Sequence, residues 1–84
     1  MVYVYIIQSL KDSGYYVGIC KNVVNRLEKH NRGGVYSTRA RKPFQLIYSE
    51  QFENYTLARV REKEIKSFKG GNKFKELIQY CQVV

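Results

Sequence analysis

The opening stretch "VYVYIIQ", Val2 to Gln8, alternates and is rich in β-branched and aromatic residues, which predicts a strand. "SLKDSG" supplies turn residues and "YYVGI" predicts a second strand, so the two read as an antiparallel hairpin with Gly14 helping the chain reverse. The two-residue period sets Tyr3 and Tyr5 on one face of the first strand, and Tyr16 and Gly18 on one face of the second. Spacing leaves open whether these faces coincide. Asn22 is placed to cap a helix running to about Asn31, with Val23, Val24 and Leu27 as its apolar stripe and Gly33-Gly34 as its end. Pro43 opens a third strand, "FQLIYSEQF". A longer helix follows from about Tyr55 to Lys69, with Ala58, Ile65 and Phe68 inward, ended by Gly70-Gly71. Phe74, Leu77, Ile78 and Cys81 then recur at i, i+3, i+4 and i+7, a last amphipathic helix. The order is ββαβαα, with no internal repeat and no linker.

Length makes this one domain, 1–84. A chain of 84 residues buries roughly 60–65% of its unfolded surface, enough for one modest core. Fifteen Lys+Arg against seven Asp+Glu give a net charge of +8, a field suited to a polyanion, either nucleic acid or an anionic membrane surface. The longest apolar run, "VYVYII", is far short of the roughly twenty residues that span a bilayer, and no secretory leader is evident, so nucleic acid and a cytoplasmic location are expected. Cys20 and Cys81 have no metal-site spacing and the single His30 cannot complete a zinc site, so both cysteines are expected as reduced, buried thiols.

Charge directs attention to a few side chains. Arg26 and His30, at i and i+4, share the flank of the first helix's stripe. Arg26 either lays its stem along the core or contacts a phosphate with its planar fork. His30 is an acid, a base, a phosphate donor or a structural residue. Among the seven carboxylates, Glu62 borders the buried face of the long helix, where it either binds a cation or pairs with Lys66. "STRARK", Ser37 to Lys42, packs three cations and two hydroxyls into a loop suited to phosphate oxygens.

These blocks, in this order, resemble the GIY-YIG nuclease superfamily. Tyr3-Val4-Tyr5 and Tyr16-Val17-Gly18 stand where that family has its two triplets, and "KNVVNRLEKHN" resembles its next block, with Arg26 and His30 on the matching positions. "STRARKPFQLIYSEQF" and "TLARVREKEIK" are similar to its small single-domain branch, and the family's acidic metal ligand falls on Glu62. The likeness covers Tyr3 to about Ile78. Two departures stand out. The first triplet has Tyr3 in place of glycine, and Ile19 stands where several members carry a lysine, with Lys21 nearby.

The resemblance implies an α+β fold, a three-stranded antiparallel sheet flanked by helices, with its site on one sheet face. It implies hydrolysis of DNA phosphodiesters with one Mg²⁺ or Mn²⁺ held by Glu62, and catalysis by Tyr5, Tyr16, Arg26 and His30. Tyr5 or Tyr16, its phenol pKa lowered, would take a proton from water, with Tyr5 slightly favoured. Gly18, lacking a side chain, would let metal, water or phosphate approach beside Tyr16, and Tyr15 would be structural. Lys21, Ser37, Thr38, Arg39, Arg41, Lys42 and Asn72 are the expected nucleic-acid contacts, with Asn72 equally suited to cap the last helix. Without a separate DNA-reading domain, cutting is expected to follow DNA structure rather than sequence, in repair or recombination. The rival readings are a non-catalytic nucleic-acid-binding module on the same basic face and an interaction protein whose partner supplies activity or substrate choice.

Overall fold

The computed structural model describes residues 1–80. Its elements are β1 (Val2–Ser9), β2 (Tyr15–Cys20), α1 (Val23–Asn31), β3 (Phe44–Phe52), α2 (Tyr55–Ser67) and α3 (Asn72–Tyr80), with a short 3₁₀ turn at Arg39–Arg41. The three strands form one antiparallel sheet in the order β2-β1-β3. This is the expected ββαβαα arrangement. Cys81 of the predicted last helix lies outside the described residues.

β1 is central, and its near-continuous apolar run reflects cover on both faces. Val2, Val4 and Ile6 join Tyr48, Ala58, Ile65 and Phe74 in the core beneath α2 and α3. Tyr5 and Ile7 point the other way, joining Cys20 and Phe44 in a smaller core beneath α1, edged by Tyr3, Tyr16, Val23 and Leu27. Burying each large aliphatic side chain stabilises the fold by about 1.5–3 kcal/mol, so neither core can spare many. Cys20 is a free, buried thiol, and burial pushes its pKa up, so it stays protonated and unreactive.

Local chemistry sets the ends of the elements. Asn22 Oδ1 accepts from Asn25 N (2.9 Å) to cap α1, and Asn54 Oδ1 accepts from Leu57 N (3.0 Å) to cap α2. In the β1–β2 turn the Ser9 hydroxyl accepts from the Lys11 and Asp12 amides at 3.0 and 3.1 Å. Here the left-handed backbone position falls on Ser13 (φ 63°), not on Gly14. Val24, expected in the α1 stripe, is exposed; Val23, Leu27 and the buried His30 face the sheet instead.

β3 carries one irregularity. Ile6 pairs with Tyr48 but Ile7 pairs with Leu46, so Ile47 is an extra residue in the ladder. An uninterrupted strand would put Phe44 and Tyr48 on the same face. With the extra residue, Tyr48 enters the α2–α3 core and Phe44 the α1 core.

Candidate active site

Register answers the question that spacing left open. Tyr5 pairs with Gly18 and Ile7 with Tyr16, and residues directly opposite in an antiparallel ladder share a face, so both tyrosines point toward α1. Their ring centroids are 6.3 Å apart. Tyr15 points the other way and meets Phe74 edge-on at 4.8 Å, a packing contact. The space over Gly18 is not an open approach. A Cβ there would stand 2.6 Å from Tyr5 Oη and 2.7 Å from Cζ, so the glycine exists to let the Tyr5 ring lie on the strand.

His30 is fully buried at the end of α1 and joins both tyrosines. Its Nε2 is 2.9 Å from Tyr5 Oη, its Nδ1 is 2.8 Å from Thr38 Oγ1, and its ring is 5.1 Å from that of Tyr16. Thr38 in turn donates to the Val35 carbonyl at 3.5 Å. One direction satisfies every group: Tyr5 O–H donates to Nε2, Nδ1–H donates to Thr38, and Thr38 O–H donates to Val35. Burial, with Arg26 and Lys29 adding to it, holds His30 below its usual pKa, which keeps the imidazole neutral as this chain requires.

Tyr5, at 2% exposure, is pushed in the opposite direction from that expected. Burial first, then the neighbouring Tyr16, raises its pKa well above the ordinary phenol value, while Arg26 alongside only partly offsets this. Arg26 is therefore beside the buried phenol. It also lines an open cleft of about 420 Å³ with Lys21, Lys29 and Arg32, so the expected contact residue Lys21 is its neighbour.

The basic loop divides. Ser37, Arg39 and Lys42 are exposed, and Arg39 lies over the exposed Tyr36 ring at 5.1 Å. Arg41 is partly engaged, its Nε 2.9 Å from Asp12 Oδ2. Thr38 is fully buried, its hydroxyl engaged by His30 and Val35, so its side chain cannot serve as the expected phosphate contact. Asn72 is exposed as the first residue of α3. The Gly71 carbonyl accepts from Lys75 N (3.1 Å), so the cap position belongs to Gly71 and not to Asn72.

Glu62 stands apart from this cluster, on α2, whose buried residues Ala58 and Ile65 pack on the opposite sheet face. Its side chain is 19% exposed and pairs with the Lys66 ammonium at 3.1 Å, the i,i+4 partner that spacing allowed. The link to the tyrosines runs round the β2 edge, where Lys66 and Tyr16 line one cavity. Among the described residues no group of three or more His, Cys, Asp or Glu side chains could hold a metal ion. A single half-buried carboxylate already holding a cationic group is nevertheless a fitting donor for a hard divalent ion that keeps most of its waters. Sequence reasoning missed Lys29, Arg32 and Lys69, and named Lys66 only as the partner of Glu62. The first two extend the Lys21–Arg26 face at helical spacing, a signal that charge counting along the helix would have found.

The family model of the GIY-YIG catalytic domain matches residues 1–75, a span that takes in the three-stranded sheet and the Tyr5–Tyr16–Arg26–His30 cluster. The chain belongs to the GIY-YIG nuclease family. It is similar to the UPF0213 protein of Staphylococcus saprophyticus, 42% identical over 74 residues covering 87% of this chain and 89% of the relative. A UPF0213 protein of Staphylococcus aureus is 43% identical over 67 residues, covering 79% and 80% of the two chains. The solution structure of the UPF0213 protein BH0048 of Bacillus halodurans superposes with a TM-score of 0.63 at 33% identity, covering 99% of this chain and 88% of that one. Among the described residues no helix is long and apolar enough to cross a membrane.

Proposed function

We propose that this protein is a divalent-metal-dependent endonuclease that hydrolyses DNA phosphodiester bonds, directed by DNA structure rather than sequence, in repair or recombination. The observation that carries this reading is the buried hydrogen-bond chain from Tyr5 through His30 to Thr38, set behind the half-exposed Tyr16 and beside Arg26. A polar chain is a costly way to fill a small core, and an apolar trio would pack there without it.

Each group has a task that its surroundings suit. The raised pKa of Tyr5 keeps it a neutral phenol. It serves as base by taking the proton of the attacking water on Oη while passing its own proton to His30 Nε2, 2.9 Å away. The hydroxide so formed attacks phosphorus, and the bond to the leaving oxygen breaks. Tyr16, nearer solvent, orients the water, and Arg26 offsets the charge that builds on the phosphoryl oxygens. Glu62 would hold the Mg²⁺ or Mn²⁺, and the bound ion supplies Lewis-acid stabilisation of the phosphate. Lys21, Ser37, Arg39, Lys42 and Arg41 would contact the backbone of the DNA.

The test is nicking of supercoiled and branched DNA with Mg²⁺ or Mn²⁺ by the wild type and Glu62→Ala. The wild type should cut only with metal, and the variant should lose activity on the order of 10²-fold or more. The reading fails if rigorously purified wild type never cuts, or if Glu62→Ala cuts equally well. Equal DNA binding by both proteins without cleavage is the outcome for a non-catalytic binding module, which the Glu62–Lys66 pair alone would suit.

A further inference from the structure

A cavity of about 310 Å³ lies at the outer edge of β2, on the side away from α1. Ile65 and Phe74 are buried residues of the core beneath it, Tyr15 and Tyr16 stand on the strand, Lys66 comes from the last turn of α2 and Lys69 from the turn just after it. Among the described residues no carboxylate lines it, although Glu62 pairs with Lys66 from one turn away. Aromatic and aliphatic side chains with two ammonium groups match a nucleotide, whose base stacks on apolar surface and whose phosphate seeks cations. The volume is near the lower end of small-molecule sites, about 300–1,000 Å³, so one nucleotide fits and a duplex does not.

Lys69 adds a second observation. Its backbone is left-handed (φ 52°), as is that of Gly70 after it (φ 73°). Helix ends commonly use glycine in this conformation, which is unfavourable for a long side chain. A lysine thus stands at a position where the backbone prefers glycine, and there it lines the cavity. A strained residue beside a site is a reason to look for function at that residue.

We propose that this cavity is a subsite for one unpaired nucleotide of the strand being cut, adjacent to the phosphate that Tyr16 faces. The inference rests on the nuclease reading and deepens it, because it names the substrate class: DNA with an unpaired nucleotide beside the scissile bond, as in flaps, tails and branch points. Tyr16 belongs both to the tyrosine cluster and to the cavity wall, so the strand passes from one to the other around the β2 edge. Lys66 is shared as well. A phosphate that draws its ammonium into the cavity releases Glu62.

The experiment is fluorescence anisotropy in EDTA, comparing a blunt duplex with the same duplex carrying a two-nucleotide tail of either polarity. Wild type should bind one tailed duplex roughly tenfold more tightly, the scale of one stacked base. Lys69→Gly should abolish that preference while its Tm stays the same or rises, since glycine suits the left-handed position. Lys69→Asn, which also tolerates that conformation, should behave likewise. A thymidine monophosphate titration followed by NMR should move the amides of Lys69 and Gly70 before those of the 37–42 loop. The proposal is overturned if wild type shows no preference for either tail, or if both Lys69 variants keep it. Because metal is absent, tail preference without any cleavage under the conditions of the nicking test would sink the nuclease reading and leave the subsite standing. Cleavage dependent on Glu62 without tail preference would do the reverse.

Discussion

The phenol oxygen of Tyr5 stands 2.9 Å from Nε2 of His30, joining the central strand to the end of α1 across 25 positions of sequence. The bond lies in the core, so the same contact holds the α1 side of the sheet together and lines up the proposed proton path. His30→Ala leaves Tyr5 and Thr38 without their partner and opens a cavity, and it should cost about 2–4 kcal/mol in urea unfolding. Thr38→Val removes the acceptor at Nδ1 together with the long donor contact to the Val35 carbonyl, and should cost about 1–2 kcal/mol.

The two tyrosines should separate in behaviour. Tyr5→Phe leaves His30 Nε2 unpaired and should destabilise by about 1–2 kcal/mol as well as suppress cleavage. Tyr16→Phe, on a half-exposed residue, should change stability by less than about 0.5 kcal/mol. Its cleavage rate should nonetheless fall on the order of 10²-fold. Paired unfolding and nicking measurements on these variants check the division. Equal stability loss in both would contradict it.

Stability should fall as the solution is acidified through the range where an unfolded histidine titrates. Burial holds folded His30 below its ordinary value of 6.5. Below that pH the unfolded chain takes up a proton that the folded chain resists, so stability present above about 6.5 is lost as pH drops toward the folded pKa. His30 is the single histidine of the chain. The dependence between about pH 7.5 and 5 should therefore flatten in His30→Gln. A wild-type curve that is level across this window would remove His30 as its source.

Gly18→Ala should be damaging despite its small size. The added carbon would meet the Tyr5 ring at 2.6–2.9 Å, and the ring cannot yield without leaving His30. Overpacking of this kind costs about 1–3 kcal/mol. Thermal unfolding, together with the NMR shift of the His30 ring, would register both effects.

In the basic loop, the double change Arg39→Ala/Arg41→Ala should weaken DNA binding on all sequences alike. The slope of log K against log salt should shrink by about 0.9 for each phosphate that is no longer neutralised. Arg41 also gives up its pairing with Asp12, which anchors the loop to the hairpin. An unchanged slope would take this loop off the DNA face.

Much of the scaffold was legible. Alternation in Val2–Gln8, the Asn22 cap and the 3.6-residue period of Phe74, Leu77 and Ile78 each report a local preference that agrees with the packing. The site was legible only in part. Tyr16 and Tyr5 share a face because of a pairing register, which no single strand encodes in its own spacing. Thr38 looked like one more hydroxyl in a cationic loop, yet tertiary contact buried it against a histidine eight residues earlier. Glu62 satisfied two readings of the same spacing, and the Lys66 pair belongs to one of them without excluding the other.

The extra residue in β3 makes backbone geometry, as well as chemistry, a determinant of this site. Remove Ile47 and the ladder could run unbroken from Phe52 to Phe44 in the same pairing, with Phe44 still turned toward α1. Straighten β3 at its present length instead, and Leu46, Gln45 and Phe44 would turn to the opposite face. Phe44, which meets the His30 ring at 5.7 Å, would swing away, along with the attachment of the preceding loop. A chain straightened in this way could keep all the proposed catalytic side chains and still be unable to assemble them. Loss of the bulge with every residue retained, far from any reactive atom, is thus the change this small enzyme candidate should tolerate least, whereas loss of the extra residue itself is one the sheet can absorb.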